Sequence, residues 1–354
     1  MHMNRVLSVF AAAPLVLALI GSPANTLPAA AERAAPRQVL DVNDLETGAP
    51  PKLAWSQTDG DTSTIHGPAG ATTIDGNVSA LAPMGSGFVV QSFDTSDPNA
   101  RTITRFVGAD GTRGRSTWRS GHDLAASPDG KAVAFTVRRG GVRVIDLEGD
   151  RVLTMPSIPS REFGSPAHVT GGYCKEDETS NGCAVLVNST RRHKSWVVSS
   201  HGIVDTTPLK AVSTGRGRWI GGITEFSDTG TCSVMMKSLR KRWRTCDNMF
   251  SDISPDKQHV LGTPAYADGF GPTVLDVLDL RTGRLEHSWT STRKATTTYF
   301  DEVWEDSTHL LVVTYQDEEF AVVRLGLDGS MEYAVAPVAD ADGDMSSPFT
   351  LQTR

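Results

Sequence analysis

The sequence lacks the patterns of helical folds and of several large enzyme classes. No window of about 12 residues sustains apolar side chains at i, i+3, i+4 and i+7, which excludes an all-α fold. There is no G-x-S-x-G elbow, no HExxH pair, no P-loop and no Rossmann glycine pattern. Charged residues make up 21% of the chain, too few for an intrinsically disordered protein. The net charge of −7 argues against general nucleic-acid binding, because an acidic protein repels phosphate backbones.

Long hydrophobic runs are scarce, and the one that stands out is N-terminal. Arg5 precedes an apolar stretch of 15 residues, Val6 to Ile20, and small residues suited to cleavage follow it. A helix that crosses a bilayer needs about 20 apolar residues, so a cleaved export signal is favoured over a membrane anchor. We therefore predict a signal peptide at 1–31, an Ala/Pro-rich linker at 32–50, and a secreted or extracytoplasmic protein without a membrane span after cleavage.

Cysteine is also rare, with four residues in the chain. Cys174 and Cys183 flank a polar stretch typical of a hairpin loop, and Cys232 and Cys246 lie in two strand-like runs joined by a basic turn. Four cysteines allow three pairings, and sequence alone selects none of them. We favour local pairing within each of these two couples, because antiparallel neighbours bring Cβ atoms to bridging distance. Neither couple has the tight spacing of a zinc site.

Short runs rich in Val, Ile, Thr, Phe and Trp dominate the chain, separated by Gly, Asp and Pro, which predicts an almost entirely β protein. One unit of four strands recurs along the sequence. Two clear copies occupy 123–155 and 251–289, a looser third copy occupies 300–335, and weaker copies begin near Val78, His168 and Gly222. The period of roughly 40 to 50 residues indicates a β-propeller.

Two turns of this unit carry a specific motif. Ser127-Pro128-Asp129-Gly130-Lys131 and Ser254-Pro255-Asp256-Lys257 resemble the Ser-Pro-Asp-Gly hairpin of TolB-like and WD-repeat-like β-propellers, here of a secreted bacterial type. In those families the motif joins the innermost strand of a blade to the second strand. The Gly-His and Trp-Asp signature of eukaryotic WD repeats is absent. The resemblance covers most of the chain in pattern and implies a fold, because propellers host many unrelated functions.

Six copies of the unit are countable, and the two ends of the chain supply a seventh. Residues 53–57, 63–66 and 71–74 look like second, third and fourth strands without a first, whereas 347–352 looks like a first strand without partners. Joining them closes the ring and protects exposed strand edges. We therefore predict a single all-β propeller at 51–354 with seven four-stranded blades, six blades with longer loops being the alternative.

Loops that lead into the innermost strands line one end of a propeller channel, the usual ligand site of such folds. Aromatic and charged residues in these loops are of the types that recognition surfaces use. The binding candidates are His122, Asp123, Arg218, Trp219, Tyr299 and Phe300, together with Phe163 and Phe250. The alternative is that the same side chains pack the tops of neighbouring blades.

Asp340, Asp342 and Asp344 form the best acidic cluster. Three carboxylates at alternate positions offer hard oxygen ligands, so Ca²⁺ is the metal they would take. The stretch departs from an EF-hand loop, with Met345 in place of glycine and Leu351 in place of the bidentate glutamate. The alternative is a solvated loop between the sixth blade and the closing strand, with no cofactor.

Residues 237–244 hold five cations in eight positions. This segment is interpreted either as a site for anionic polymers, such as wall teichoic acids or sulfated glycans, or as a solvated hairpin whose charges oppose edge pairing. The nearby basic residues 191–194 would strengthen the first interpretation only if both hairpins project from one face.

These features together predict an exported propeller that recognises a protein or a cell-envelope component as a binding or scaffold module. We assign no catalytic residues, although propeller active sites gather side chains from several blades and leave no local motif. The alternative function is a calcium-dependent hydrolase resembling propeller lactonases and arylesterases, with the metal in the central channel. Several Asp, Glu, Asn or His side chains at the channel centre would favour the hydrolase, and Ser, Thr and apolar groups would count against it.

Overall fold

The computed structural model describes residues 35–93, 101–146, 151–159, 164–171, 174, 182–189, 191–267, 271–292, 296–341 and 343–353. The predicted signal peptide lies outside these ranges. Within them the chain forms β-strands and two short 3-10 helices, Val42–Asp44 and Arg138–Gly140. None of the helices in the described ranges is long and apolar enough to cross a bilayer.

Seven sheets make up the described part of the chain, each built on a four-stranded blade, and one of them gains a fifth strand, Arg37–Val39, at its outer edge. The strands that precede the first complete blade are β1 (Arg37–Val39), β2 (Trp55–Asp59), β3 (Thr62–Gly67) and β4 (Gly70–Asp75). Blade 1 consists of β5 (Asn77–Met84), β6 (Gly87–Phe93), β7 (Ile103–Gly108) and β8 (Arg113–Arg119). Blade 2 consists of β9 (Ala125–Ala126), β10 (Ala132–Val137), β11 (Gly141–Asp146) and β12 (Arg151–Met155). Blade 3 consists of β13 (Ser165–Thr170), β14 (Ala184–Ser189), β15 (Lys194–Ser199) and β16 (Val204–Thr206).

The second half of the ring repeats the same order. Blade 4 consists of β17 (Ala211–Arg216), β18 (Trp219–Ser227), β19 (Gly230–Lys237) and β20 (Arg240–Thr245). Blade 5 consists of β21 (Asn248–Ile253), β22 (His259–Pro264), β23 (Val274–Asp279) and β24 (Leu285–Thr290). Blade 6 consists of β25 (Thr298–Trp304), β26 (His309–Gln316), β27 (Glu319–Gly326) and β28 (Met331–Ala339). The last strand is β29 (Phe349–Leu351).

Blade 7 joins the two ends of the chain, as the sequence predicts. Its strand order is β29-β2-β3-β4, so the C-terminal strand lies innermost against the N-terminal hairpin. Trp55 pairs with Leu351 and Gln57 with Phe349 in antiparallel register. The seven-bladed propeller and its closure by both ends are therefore confirmed.

The Ser-Pro-Asp turns are held by the same hydrogen bonds in two blades. In blade 2 the Ser127 hydroxyl donates to Asp129 at 2.7 Å and accepts from the Ala132 N–H at 2.9 Å. In blade 5 the Ser254 hydroxyl donates to Asp256 at 2.6 Å and accepts from the His259 N–H at 2.9 Å. Because the serine hydroxyl satisfies both the turn and the first residue of the next strand, the motif fixes the hairpin locally.

Residues 37–50, which composition assigns to a linker, pack along the outside of blades 5 and 6 as an N-terminal arm. Strand β1 adds in parallel to the outer strand β24 of blade 5, and Thr47 pairs with Tyr333 of blade 6. The side chain of Leu40 is fully buried in the core between these blades. The arm therefore covers two sheet edges that would otherwise be open to solvent.

Both cysteine couples lie at disulfide distance in the structure. Cys174 pairs with Cys183 in blade 3, and Cys232 of β19 pairs with Cys246, which follows β20. Their Cα atoms are 4.4 Å and 4.1 Å apart. This is the local pairing that the sequence favours, and it ties neighbouring strands of one blade together.

Candidate functional site

The main cavity of the described molecule is the central channel. Its volume is about 610 Å³, and residues from blades 1 to 7 line it, mostly from the innermost strands. This volume lies within the range of small-molecule sites, roughly 300 to 1,000 Å³. The channel is therefore large enough to take a side chain or a small ligand.

Five innermost strands carry a β-bulge at equivalent positions, and the bulged residues face the channel. The register of each innermost strand shifts against its second strand at this point in blades 1, 3, 4, 5 and 6. The residues placed there are Ser79, Ala167, Ser213, Ser251 with Asp252, and Phe300. Since a bulge re-aims side chains that strand alternation would direct elsewhere, these positions form a ring around the channel mouth.

Carboxylates from blades 5 and 6 form one wall of the channel. Asp252 accepts a hydrogen bond from the Trp304 N–H at 3.0 Å, and Asp301 accepts one from the Leu351 N–H at 3.1 Å. Each of these two carboxylates thus links an innermost strand to that of the next blade. Glu302 lies beside them in the same wall. Asp123 lines the cavity from the loop before blade 2 and accepts a hydrogen bond from the Ser165 hydroxyl at 2.6 Å.

The channel raises the pKa of two of these groups toward neutrality. Burial, with a further contribution from the nearby charge of Asp252, raises the pKa of Asp301 to about 6, although backbone N–H groups partly oppose the shift. Burial, reinforced by Asp301 and Asp252, raises the pKa of Glu302 to about 7, against the opposing effect of the Ser251 hydroxyl. Both carboxyls consequently change charge within the physiological pH range.

The far end of the channel carries the opposite charge. Arg216 and His168 line a second cavity of about 230 Å³ there. A guanidinium nitrogen of Arg216 lies 4.0 Å from the Asp252 carboxylate. Burial, aided by the Arg216 charge, lowers the pKa of His168 to about 4, so this imidazole is neutral at neutral pH.

The predicted binding residues divide between the channel and other places. Asp123 and Phe300 line the channel cavity. His122 instead lines a separate pocket between blades 1 and 2. Tyr299 is buried in the core of blades 5 and 6, and Phe250 packs between blades 4 and 5. Phe163 lies outside the described residues.

Arg218 and Trp219 lie at the turn between β17 and β18, beyond the Arg216 end of the channel. Arg218 is exposed. Trp219 is buried, and the Lys237 ammonium lies 5.0 Å from its ring centroid. Neither residue lines the channel cavity, so the sequence-based assignment of these two to the channel mouth does not match the geometry.

The acidic cluster near the C-terminus engages its own loop. Asp340 accepts hydrogen bonds from the Met345 and Gly343 N–H groups at 3.0 Å and 3.2 Å. Asp344 accepts from the Ser346 N–H at 2.9 Å and its hydroxyl at 3.0 Å. Asp342 lies outside the described residues. These contacts are those of a structured loop between blade 6 and the closing strand.

The two basic turns lie at opposite ends of the propeller. One, at 191–193, follows the second strand of blade 3, and the other, at 238–239, follows the third strand of blade 4. Because strands alternate in direction, turns after second and third strands project from opposite faces. The contacts agree, since His193 packs 5.1 Å from Phe226 near the end of β18, whereas Lys237 lies over Trp219 at its start. The two turns thus do not form one basic surface.

Sequence reasoning missed Asp252, Asp301 and Glu302, although it selected the aromatic residues just before them. Phe250, Tyr299 and Phe300 lead into these carboxylates in the chain. A signal was present, because acidic residues are unusual inside a strand flanked by buried aromatics. The bulges change which side chains face the channel, and no local sequence pattern predicts where a bulge occurs.

Comparisons with known proteins support the fold and leave the family open. No family model matches the sequence, and no curated protein matches it. Among solved structures, the β-propeller domain of Cps50 (Swd1) from Myceliophteria thermophila aligns with a TM-score of 0.50 at 10% identity, covering 78% of this chain and 89% of that one. Dihydro-heme d1 dehydrogenase NirN, in complex with DHE, aligns with a TM-score of 0.47 at 12% identity, covering 82% and 75%. At 10% identity the first match shows only that the fold is a β-propeller. The resemblance to TolB-like propellers stays a prediction.

Proposed function

We propose that this protein is an extracytoplasmic binding module that recognises a positively charged group of a protein or a cell-envelope component through its central channel. The observation that carries the proposal is the charge of the main cavity. Among the described residues that line it there are four carboxylates, Asp123, Asp252, Asp301 and Glu302, and no basic side chain. The two disulfides support an oxidising compartment, in keeping with the predicted export signal.

Glu302 is the carboxylate most available to a ligand. Asp252 and Asp301 accept backbone hydrogen bonds from the next blade, so part of their role is to join blades. Asp123 is engaged by the Ser165 hydroxyl. Glu302 has the Ser251 hydroxyl beside it, and both residues line the cavity. An ammonium or guanidinium group entering the channel would therefore meet Glu302 first as a charge-assisted acceptor.

The direct test is calorimetric titration of the disulfide-bonded protein with a tetralysine amide. We expect saturable binding, and we expect the same peptide with acetylated lysines not to bind. Glu302→Gln should weaken binding about tenfold, the usual size of one lost charge-assisted hydrogen bond. Glu46→Gln, which removes an exposed carboxylate from the N-terminal arm, is the matched control and should change nothing. Equal binding of the acetylated peptide would refute the proposal.

Affinity for the peptide should also rise with pH. Because the pKa of Asp301 is about 6 and that of Glu302 about 7, both carboxyls are mostly protonated at pH 5 and mostly ionised at pH 8. A cation binds the ionised form, so binding should strengthen over this interval and release protons near pH 6.5. Titration in two buffers of different ionisation enthalpy measures the released protons. If the affinity for the peptide does not change between pH 5 and pH 8, the peptide does not bind at the channel carboxylates.

A second candidate function is hydrolysis by the carboxyl pair. Adjacent carboxyls with pKa values of about 6 and 7 that line a channel suit general acid–base catalysis. The described residues contain no group of three or more His, Cys, Asp or Glu side chains placed to hold a metal ion. Turnover of an ester or lactone that Glu302→Gln abolishes without a change in Tm would favour hydrolysis over binding.

A further inference from the structure

A separate pocket lined by arginines lies between blades 1 and 2, on the face where the loops lead into the innermost strands. Its charge is opposite to that of the carboxylates in the central channel. Its volume is about 270 Å³. Its walls come from the residues before β7, the end of β8, the loop that leads to blade 2, and the turn between β10 and β11 of blade 2. The residues that line it are Arg101, Thr102, Arg119, Ser120, Gly121, His122 and Arg138.

Three arginines line this pocket. Arg101, Arg119 and Arg138 are all exposed, and none forms an ion pair with a described residue. No Asp or Glu is among the described lining residues. In a chain whose net charge is −7, three guanidinium groups around one concavity repel each other, and none of them has an ion-pair partner among the described residues. Such an arrangement is suited to an external anion.

Hydrogen-bonding side chains complete the floor of the pocket. Thr102 and Ser120 are buried and line the pocket, and the Ser120 hydroxyl accepts a hydrogen bond from the Thr104 hydroxyl at 2.8 Å. The Thr102 hydroxyl lies 3.3 Å from Nδ1 of His122, an exposed imidazole at the rim. Guanidinium forks, hydroxyls and an imidazole are the donors that proteins use for phosphate and sulfate oxygens.

The loop that carries His122 is held rigidly from below. The side-chain amide of Gln91, which is fully buried, donates to the carbonyl oxygens of Gly121 and Asp123 at 3.1 Å and 3.0 Å. Asp123 has a φ of 73°, a left-handed conformation that is uncommon outside glycine. This turn directs His122 into the arginine pocket while Asp123 lines the channel. A strained residue fixed by a buried amide is typical of a preorganised site.

We infer that the arginine pocket binds a tetrahedral oxyanion, the phosphate or sulfate group of a small ligand. Arg119 and Arg138 face the anion from blades 1 and 2, and Arg101 closes the outer side. The proposal does not depend on the function of the channel, whose carboxylates take the opposite charge. It assigns His122, which sequence analysis placed at the channel mouth, to this neighbouring pocket.

The test is an NMR titration of the disulfide-bonded protein with glucose 6-phosphate, glucose 6-sulfate and glucuronate. We expect saturable shifts confined to blades 1 and 2 for one or both of the first two probes, and at least tenfold weaker binding of the planar carboxylate. Preference between the two sugars identifies the source of the oxyanion. The double variant R119Q/R138Q should weaken binding about tenfold for each arginine removed. R119K, which keeps the charge but loses the fork, should weaken it severalfold.

The matched control is R191Q/R192Q, which removes two exposed arginines at the hairpin tip of blade 3 that do not line the arginine pocket. It should leave affinity within twofold of the original protein. Equal loss in the two double variants, or equal binding of glucuronate, would show that only overall charge matters and would overturn the proposal. Because all substituted arginines are exposed, an unchanged Tm in each variant assigns any loss to the pocket.

Discussion

At the residue scale, Asp301 and Glu302 couple the protonation of the channel to the stability of the fold. Both carboxyls have pKa values raised by burial, so the folded state holds their protons more tightly than the unfolded chain does. Stability from these groups is therefore greatest below pH 4 and declines as pH rises toward 7. His168 acts in the opposite direction, because its lowered pKa makes the fold lose stability as pH falls below about 6.5.

The first stability prediction isolates one carboxyl by comparing Glu302→Gln with the original protein. The free-energy difference should favour the variant increasingly between pH 4.5 and pH 8, by on the order of 1 to 3 kcal/mol, because the original must ionise a buried carboxyl and the variant need not. Urea unfolding at several pH values measures this difference. The subtraction cancels the His168 contribution. Glu46→Gln should show no such trend, and a pH-independent difference for Glu302→Gln would contradict the raised pKa.

At the scale of elements, the N-terminal arm is held by one buried ion pair. The Arg324 guanidinium donates to both oxygens of Glu305 at 2.6 Å and 3.0 Å. It also donates to the carbonyl oxygens of Ala49 and Pro50 at 2.9 Å and 3.1 Å. Glu305 in turn accepts from the Lys52 N–H at 2.7 Å. A proline-rich stretch that cannot donate its own strand hydrogen bonds is thus fixed through its carbonyl groups.

The second stability prediction concerns this clamp. Arg324→Leu should destabilise the protein by about 3 to 5 kcal/mol, because it leaves the buried Glu305 carboxylate without its cation. The double variant Arg324→Leu with Glu305→Gln should recover part of the loss, since glutamine removes the charge and still accepts from the Lys52 N–H. Urea unfolding gives the free energies, and limited proteolysis of residues 35–54 reports release of the arm. If the double variant is no more stable than the single one, the buried charge is not the cause.

The elements that sequence predicts best are those whose signal is local. Short apolar runs between turn residues predict the strands of the blades. The Ser-Pro-Asp motif specifies its hairpin because the Ser127 hydroxyl bonds both to Asp129 and to the first residue of the next strand. The packing of the arm could not be predicted from the sequence, because its buried anchors, Leu40 and Val42, are two residues in an Ala/Pro-rich context and depend on a partner strand about 250 residues away. Likewise, the Asp301–Glu302 site depends on bulges and on neighbouring blades, and neither leaves a periodic trace in the chain.

At the scale of the whole molecule, the closing strand makes the ring a single cooperative unit. Strand β29 is short, but it bonds to three blades. The Leu351 N–H donates to Asp301 of blade 6, the Gln352 N–H donates to Ala54 beside blade 7 at 3.1 Å, and the Thr350 hydroxyl donates to Val78 of blade 1 at 2.9 Å. Without this strand, blades 6 and 1 would each lose contacts with blade 7, because a blade packs on those beside it.

The third stability prediction is that deletion of residues 347–354 lowers Tm by about 10 °C or more and broadens the unfolding transition, because blade 7 loses its innermost strand. Phe349→Ala keeps the strand but removes a buried ring, so it should lower the free energy of unfolding by about 3 to 5 kcal/mol. Its Tm should lie between those of the original protein and the shortened protein. Calorimetry measures both variants. A synthetic peptide of residues 345–354 should raise the Tm of the shortened protein saturably, since it can re-form the pairing of Trp55 with Leu351. A shortened protein with the original Tm would mean that six blades hold the ring without the closing strand, and the contacts of β29 would then serve the channel wall alone.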